Sequence, residues 1–286
     1  MAKIGVFDSG YGGLTILSEI RKILPQYDYI YLGDNARAPY GTHSFEVIYN
    51  YTLQSVRYLI DNDCALIILA CNTASAKALR TIQQNDLPLI NEKRSFGQKV
   101  NVLGVIRPTV EAVPSFTRTG HVGILATPAT VSSESYVLEL EKINQQSEIT
   151  NHKSLVVTQQ ACPLWVPLIE AGEHSNPGAD YFVDLYLREI LAKDPQIDTL
   201  VLGCTHYPLL KNKIDNWLQP LSISTIAQGS LVAESLKDYL NRHPEYRNQL
   251  STGASCRYLT TENADRFAQS ASVFLSSPIQ AENVQI

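Results

Sequence analysis

Short runs that are apolar throughout alternate with amphipathic stretches along this chain. Lys3 to Phe7 reads as a buried strand. Leu14 to Leu24 follows as a helix, with Leu17, Ile20 and Leu24 on one face. Tyr29 to Leu32 is a second strand. Ser44 to Ile60 is a helix with Ile48, Tyr51, Val56, Leu59 and Ile60 near one side. Ala65 to Ala70 is a third strand, and a helix runs from about Ser75 to Asn85. Strands that are apolar on both faces and separated by helices predict parallel βαβ units.

A second series begins near Val100. Val102 to Ile106, His121 to Ala126, Leu155 to Thr158 and Thr199 to Gly203 are strand candidates. Val131 to Asn144 and Tyr181 to Leu191 are helix candidates. Ile223 to Ala227 and a helix from Ser230 to Leu240 add further αβ material. The two series resemble each other. Ile4-Gly5-Val6-Phe7-Asp8-Ser9 matches Val122-Gly123-Ile124-Leu125-Ala126-Thr127, and the run up to Cys71 matches the run up to Cys204. Buried strands are alike by composition alone, but a cysteine with nearby hydroxyls at both ends favours duplication. The expected class is α/β, with two pseudo-symmetric lobes, each a mostly parallel sheet flanked by helices.

Composition narrows the function. Of 286 residues, 44% are apolar and 18% charged, which suits a globular chain with a large core. Lys plus Arg number 23 against 28 Asp plus Glu, a formal charge of -5. That balance lacks the basic footprint of phosphate-backbone binding, so nucleic acid is not an expected partner. No apolar run has the length of a membrane span. The start, Met1 to Asp8, enters a strand at once and lacks signal-peptide features, so the cytoplasm is the expected location. The five cysteines, Cys64, Cys71, Cys162, Cys204 and Cys256, include no Cys-x-x-Cys. They read as free thiols rather than a disulfide framework or zinc ribbon. Cys64, Cys162 and Cys256 read as small buried residues.

Ligands bind at the carboxyl ends of strands in open α/β sheets. Three polar clusters lie at such ends. Asp8-Ser9-Gly10-Tyr11-Gly12-Gly13 follows the first strand. It lacks the P-loop Lys and the dinucleotide spacing, and a tight βα turn with Asp8 or Ser9 as cap competes with a site reading. The others are Cys71-Asn72-Thr73-Ala74-Ser75 and Cys204-Thr205-His206-Tyr207-Pro208. One such cysteine alone is most simply inert. Two, at matching ends of repeated lobes, suit racemisation at an α-carbon: a thiolate on one face removes the proton and a thiol on the other returns one. The carbanion-like state needs fixed donors and excluded water. Ser9, Asn72, Thr73 and Thr205 are candidates to hold the carboxylate and amino groups. Asp8 is a candidate helper for Cys71, and His206 and Glu170 for Cys204. Singly, Glu170 reads as a surface carboxylate and His206 as a turn residue.

With these residues the chain resembles the aspartate/glutamate racemase superfamily, in particular its glutamate racemases. The matching segments are Phe7-Asp8-Ser9-Gly10 with Gly12-Gly13-Leu14, Gly33-Asp34 with Pro39-Tyr40-Gly41, Ala70 to Ser75, Gly104-Val105-Ile106 with Pro108, Cys162-Pro163 with Glu170, and Gly203 to Pro208. The resemblance implies an active site between two lobes, with no pyridoxal phosphate, other cofactor or metal. It implies interconversion of L- and D-glutamate, with D-glutamate passing to peptidoglycan. It marks Cys71 and Cys204 as the acid/base pair, aided by Asp8, Glu170 and His206. The implied substrate segments are Asp8-Ser9, Tyr40-Gly41, Asn72-Thr73 and Thr205-His206. It also implies that the chain beyond about residue 211 rejoins the first lobe. The expected division is 1–98 plus 212–286, and 99–211. A homodimer acting on a small molecule, with no membrane partner, is expected. Two stretches depart from the pattern: 91–99 lengthens the link between lobes, and Arg107 and Thr109 replace an acidic residue and Gly of many members.

Three other readings compete. The same machinery can act on aspartate, although the His206 motif favours glutamate. A non-catalytic amino-acid-binding protein leaves two symmetric thiols unexplained. A thiol redox pair is disfavoured by the different motifs around Cys71 and Cys204.

Overall fold

The structure, a computed structural model, describes residues 1–94, 98–150, 154–275 and 277–286. The chain divides into two compact units, Met1–Val105 with Gly229–Ile286, and Ile106–Gln228.

The first unit is built on β1 (Lys3–Asp8), β2 (Tyr29–Gly33), β3 (Cys64–Leu69), β4 (Asn101–Gly104), β9 (Cys256–Thr260) and β10 (Ala281–Asn283), with β5 to β8 falling in the second unit. Its sheet order is β10-β9-β2-β1-β3-β4, parallel throughout. The apolar runs account for the centre: every residue of β2 and β3 is buried. α1 (Gly13–Ile23) packs Leu14, Ile16, Leu17 and Ile20 into this core beside Ile4, Val6, Leu66, Ile68 and Phe267. α2 (Phe45–Asp61) starts at Ser44, whose hydroxyl accepts the Val47 N–H. α3 (Asn72–Lys77) begins immediately after Cys71. The helix expected from Ser75 to Asn85 is interrupted at Ala78 and becomes a π-helical turn over Ile82–Asp86.

The second unit holds β5 (His121–Ala126), β6 (Val156–Ala161), β7 (Thr199–Gly203) and β8 (Ser224–Ile226). All four are parallel, in the order β6-β5-β7-β8. That order repeats β2-β1-β3-β4, and the registers repeat as well. Gly5 pairs with Ile67 and Phe7 with Leu69, as Gly123 pairs with Leu200 and Leu125 with Leu202. Two residues beyond the last of these pairs stand Ser9 and Cys71 in one unit, Thr127 and Cys204 in the other. The duplication read from the strands extends to their pairing.

The boundaries differ from those expected. The strand near Val102 belongs to the first unit, because β4 hydrogen-bonds to β3 along Leu66–Leu69. Residues 212–228 belong to the second, because β8 pairs with β7. The chain therefore crosses at Val105 and Gly229 rather than near 98 and 211. The helix expected over Val131–Asn144 is two helices, Pro128–Ser132 and Ser135–Thr150, separated at Glu134, whose φ of 55° no helix accommodates. β9 and β10 were not expected from the sequence. Within the 91–99 link, Ser95, Phe96 and Gly97 lie outside the described residues. No described helix is long and apolar enough to cross a membrane.

Candidate active site

In the first unit the carboxyl ends of β1, β2 and β3 gather polar residues that burial removes from water. Asp8 is 1% exposed, Asp34 0%, Cys71 6%, Asn72 2% and Thr73 3%. A carboxylate there needs donors, and Asp8 accepts the Gly10 N–H at 2.8 Å. The Tyr31 hydroxyl donates to the Gly10 carbonyl at 2.8 Å and braces the same turn. Gly13 is required here: a Cβ would stand 2.6 Å from Asp8 Cβ and 3.0 Å from Ala70 Cβ. Its absence lets α1 start directly against the ends of β1 and β3.

Cys71 caps α3. Its sulfur accepts the Ala74 N–H at 3.4 Å and lies 3.4 Å from the Ser9 hydroxyl. Ser75 turns its hydroxyl back to the Leu69 carbonyl at 2.8 Å and fixes the strand-to-helix corner.

Tyr40 and Gly41 arrive on a short turn, Tyr40–Thr42, held by Asp34. The Tyr40 hydroxyl and Arg37 Nε both donate to Asp34 Oδ2, the latter at 2.6 Å, and Thr261 Oγ1 donates to Oδ1 at 2.9 Å. Burial, followed by the Asp34 charge, pushes the Tyr40 phenol well above its ordinary value. Tyr40 is therefore a neutral donor. Asp34, Arg37 and Thr261 were not singled out in the sequence. Asp34 stood inside a quoted motif, whereas its partner Thr261 comes from after β9 and has no local signal.

In the second unit β7 delivers Cys204, Thr205 and His206, which are 6%, 4% and 5% exposed. His206 Nδ1 lies 3.9 Å from Cys204 Sγ, and Nε2 lies 2.9 Å from Glu170 Oε1. Glu170 ends the helix Trp165–Glu170, which Trp165 anchors. The indole packs edge-on to Tyr207 with ring centres 4.7 Å apart and donates to the Phe182 carbonyl at 3.1 Å. Burial opposes the imidazolium, but the bonds to Cys204 and Glu170 outweigh it and raise the His206 pKa to about 10. Glu170 and His206 thus form an ion pair whose imidazolium faces Cys204, an arrangement neither residue announces alone. Thr127 caps the helix Pro128–Ser132, taking the Thr130 N–H at 3.3 Å.

The remaining cysteines are Cys64, Cys162 and Cys256. Burial pushes the Cys64 thiol up to about 12, Cys162 well above its ordinary value, and Cys256 upward too. Among the described residues no group of three or more His, Cys, Asp or Glu is placed to hold a metal ion. Each unit therefore brings one capped or relayed cysteine together with its expected neighbours: Asp8, Ser9, Tyr40, Gly41, Asn72 and Thr73 in the first, Glu170, Thr205 and His206 in the second.

Known proteins resemble this chain in sequence and in fold. The sequence matches the Asp/Glu/hydantoin racemase family over residues 14–229. It is 38% identical to a glutamate racemase of Ruegeria sp. over 289 residues, covering 98% of both chains. Its fold matches a glutamate racemase isoform from Bacillus anthracis with a TM-score of 0.83 at 30% identity, covering 100% of this chain and 98% of the other. It matches the Francisella tularensis glutamate racemase, solved with D-glutamate, with a TM-score of 0.82 at 33% identity over 99% and 97% of the two chains. On its sequence and its fold, the chain belongs to the Asp/Glu/hydantoin racemase family of isomerases.

Proposed function

We propose that this chain interconverts L- and D-glutamate without a cofactor, with Cys71 and Cys204 as acid and base, and supplies D-glutamate for peptidoglycan. The observation that carries the reading is the repeated register: one cysteine follows β3 and one follows β7 at equivalent positions, each with a hydroxyl-bearing residue aligned on the neighbouring strand. The relatives' names supply the substrate.

With D-glutamate, the Cys71 thiolate takes the α-proton and its sulfur becomes a thiol. The Cys204 thiol gives its proton to the opposite face of the same carbon and becomes a thiolate. The product is L-glutamate, and the reverse reaction starts from that protonation state. Ser9 and the Ala74 N–H stabilise the first thiolate, and Asp8 orients this half of the site. The Glu170–His206 relay stabilises the second thiolate. Asp8, Ser9, Tyr40, Gly41, Asn72, Thr73, Thr205 and His206 bind the substrate's polar groups. Buried, prearranged donors are what a developing carbanion requires.

Deuterium wash-in tests this. Wild-type protein in deuterated water should exchange the α-hydrogen of both glutamate enantiomers. Cys204→Ser should exchange D-glutamate alone and Cys71→Ser L-glutamate alone, with racemisation lost in both. Parent-rate racemisation by both variants would sink the mechanism, and equal or faster turnover of aspartate would sink the substrate.

A further inference from the structure

A cavity of about 250 Å³ lies in the first unit beside the last turn of α1. Its floor is apolar, from Leu17 and Leu275, and its polar wall carries Ser18, Arg21, Lys22 and Tyr258. The carboxyl ends of the strands, with Asp8 and Cys71, adjoin the opposite end of α1. Gly13 and Arg21 are separated by about 12 Å of helix, so this cavity is not the substrate site.

Arg21 is the notable group. Its Nη1 donates to the Tyr258 hydroxyl at 3.1 Å. Among the described residues no carboxylate lies within ion-pair distance of it. Lys22, by contrast, is neutralised by Glu19 at 2.6 Å. Cations in a helix's last turn commonly serve its carbonyl end, but this guanidinium reaches away from α1 to a phenol on β9. The other ionisable groups facing it are Tyr29 and Cys256, and burial raises both, so they are neutral near pH 7. A half-buried guanidinium with neutral neighbours keeps most of its fork of donors for an incoming anion.

The geometry points to a second ligand site, formed by Arg21, Ser18 and Tyr258 over Leu17 and Leu275, that binds a small organic anion: a carboxylate or phosphate head on a short apolar body. The volume is below that of pockets for drug-sized molecules and suits a fragment of this kind. The site is independent of racemisation and of the two-thiol reading.

The test is titration of the full-length, ¹⁵N-labelled protein with benzoate, phenyl phosphate and inorganic phosphate, followed at the amides of Leu17, Ser18 and Tyr258. Benzoate or phenyl phosphate should give saturable shifts, and the stronger of the two identifies the head group. Arg21→Ala should weaken that binding at least tenfold while racemisation is unchanged. Ser18→Trp, which fills the cavity, should do the same. Cys71→Ser should bind as the parent does. Absence of saturable shifts, equal binding by Arg21→Ala and Ser18→Trp, or inorganic phosphate binding as tightly as phenyl phosphate would each overturn the proposal.

Discussion

Glu170 Oε1 lies 2.9 Å from His206 Nε2, and the other ring nitrogen of His206 faces Cys204. One imidazole thus bridges a carboxylate and a sulfur that do not touch. The first unit solves the same problem with a hydroxyl and a backbone N–H at Cys71. The two thiols are therefore equivalent in the fold and different in their electrostatics.

That asymmetry is testable at Glu170. Glu170→Gln keeps an acceptor for His206 Nε2 but removes the carboxylate charge that favours the protonated ring. It should lower kcat by about 10-fold, and His206→Asn by about 10²–10⁴-fold. The loss should be greater when L-glutamate is the substrate, since the proposed mechanism assigns that enantiomer to Cys204. Initial rates in both directions check this, and a symmetric loss would contradict it.

His206 should remain protonated at neutral pH. Its folded pKa, about 10, is above the ordinary 6.5. The stabilisation it contributes is then complete below the ordinary value and is lost as pH rises through the folded one. Imidazole ¹⁵N shifts should be flat through neutrality and titrate in alkali. A midpoint near the ordinary histidine value would rule this out.

Asp198 staples the loop before β5 to β7. It accepts from Thr117 Oγ1 at 2.6 Å and from the Arg118 and Thr119 N–H groups at 2.7 and 2.8 Å. Burial opposes its charge, but these bonds prevail and lower its pKa to about 2. A lowered carboxyl stabilises the fold above its ordinary pKa and loses that effect as pH falls through the folded value. The contribution at neutral pH is about 2 kcal/mol. Asp198→Asn should lose roughly 1–3 kcal/mol at neutral pH and little in strong acid. Urea unfolding across pH decides it.

Asp34 should matter for stability and for substrate binding together. Asp34→Ala strips Arg37, Tyr40 and Thr261 of a common acceptor. A loss of roughly 2–4 kcal/mol is expected, somewhat below the range for a fully buried pair because Arg37 is partly exposed. KM should rise as the Tyr40–Gly41 turn loosens. A stability loss with unchanged KM would show that Asp34 does not position that turn.

Gly13→Ala places a methyl against two backbone-anchored Cβ atoms. Neither neighbour can rotate away, so α1 or the ends of β1 and β3 must shift. About 1–3 kcal/mol of stability should be lost, with a fall in kcat. Thermal melts and kinetics read both.

Much of this was written locally. β1, β3 and β7 are continuous apolar runs, because strands buried on both faces need apolar side chains at every position. The cysteines ending two of those runs, with their polar followers, marked the candidate site from spacing and residue type. β6, β9 and β10 were less visible. The end of β6 is polar, Thr158-Gln159-Gln160, and β10 is only Ala281–Asn283, because edge strands need not be apolar on both faces.

Residue order therefore settled the parallel α/β class and the repeated strand pattern, and singled out the two thiols proposed as acid and base, since each rests on patterns within a few turns of chain. Folding had to decide the rest. That β4 joins β3 and β8 joins β7 depends on ladder partners tens of residues away. So does the meeting of Glu170 with His206, and of Thr261 with Asp34. Buried charges find their donors only when separate strand ends are brought into one volume, and no local pattern encodes which segments those will be.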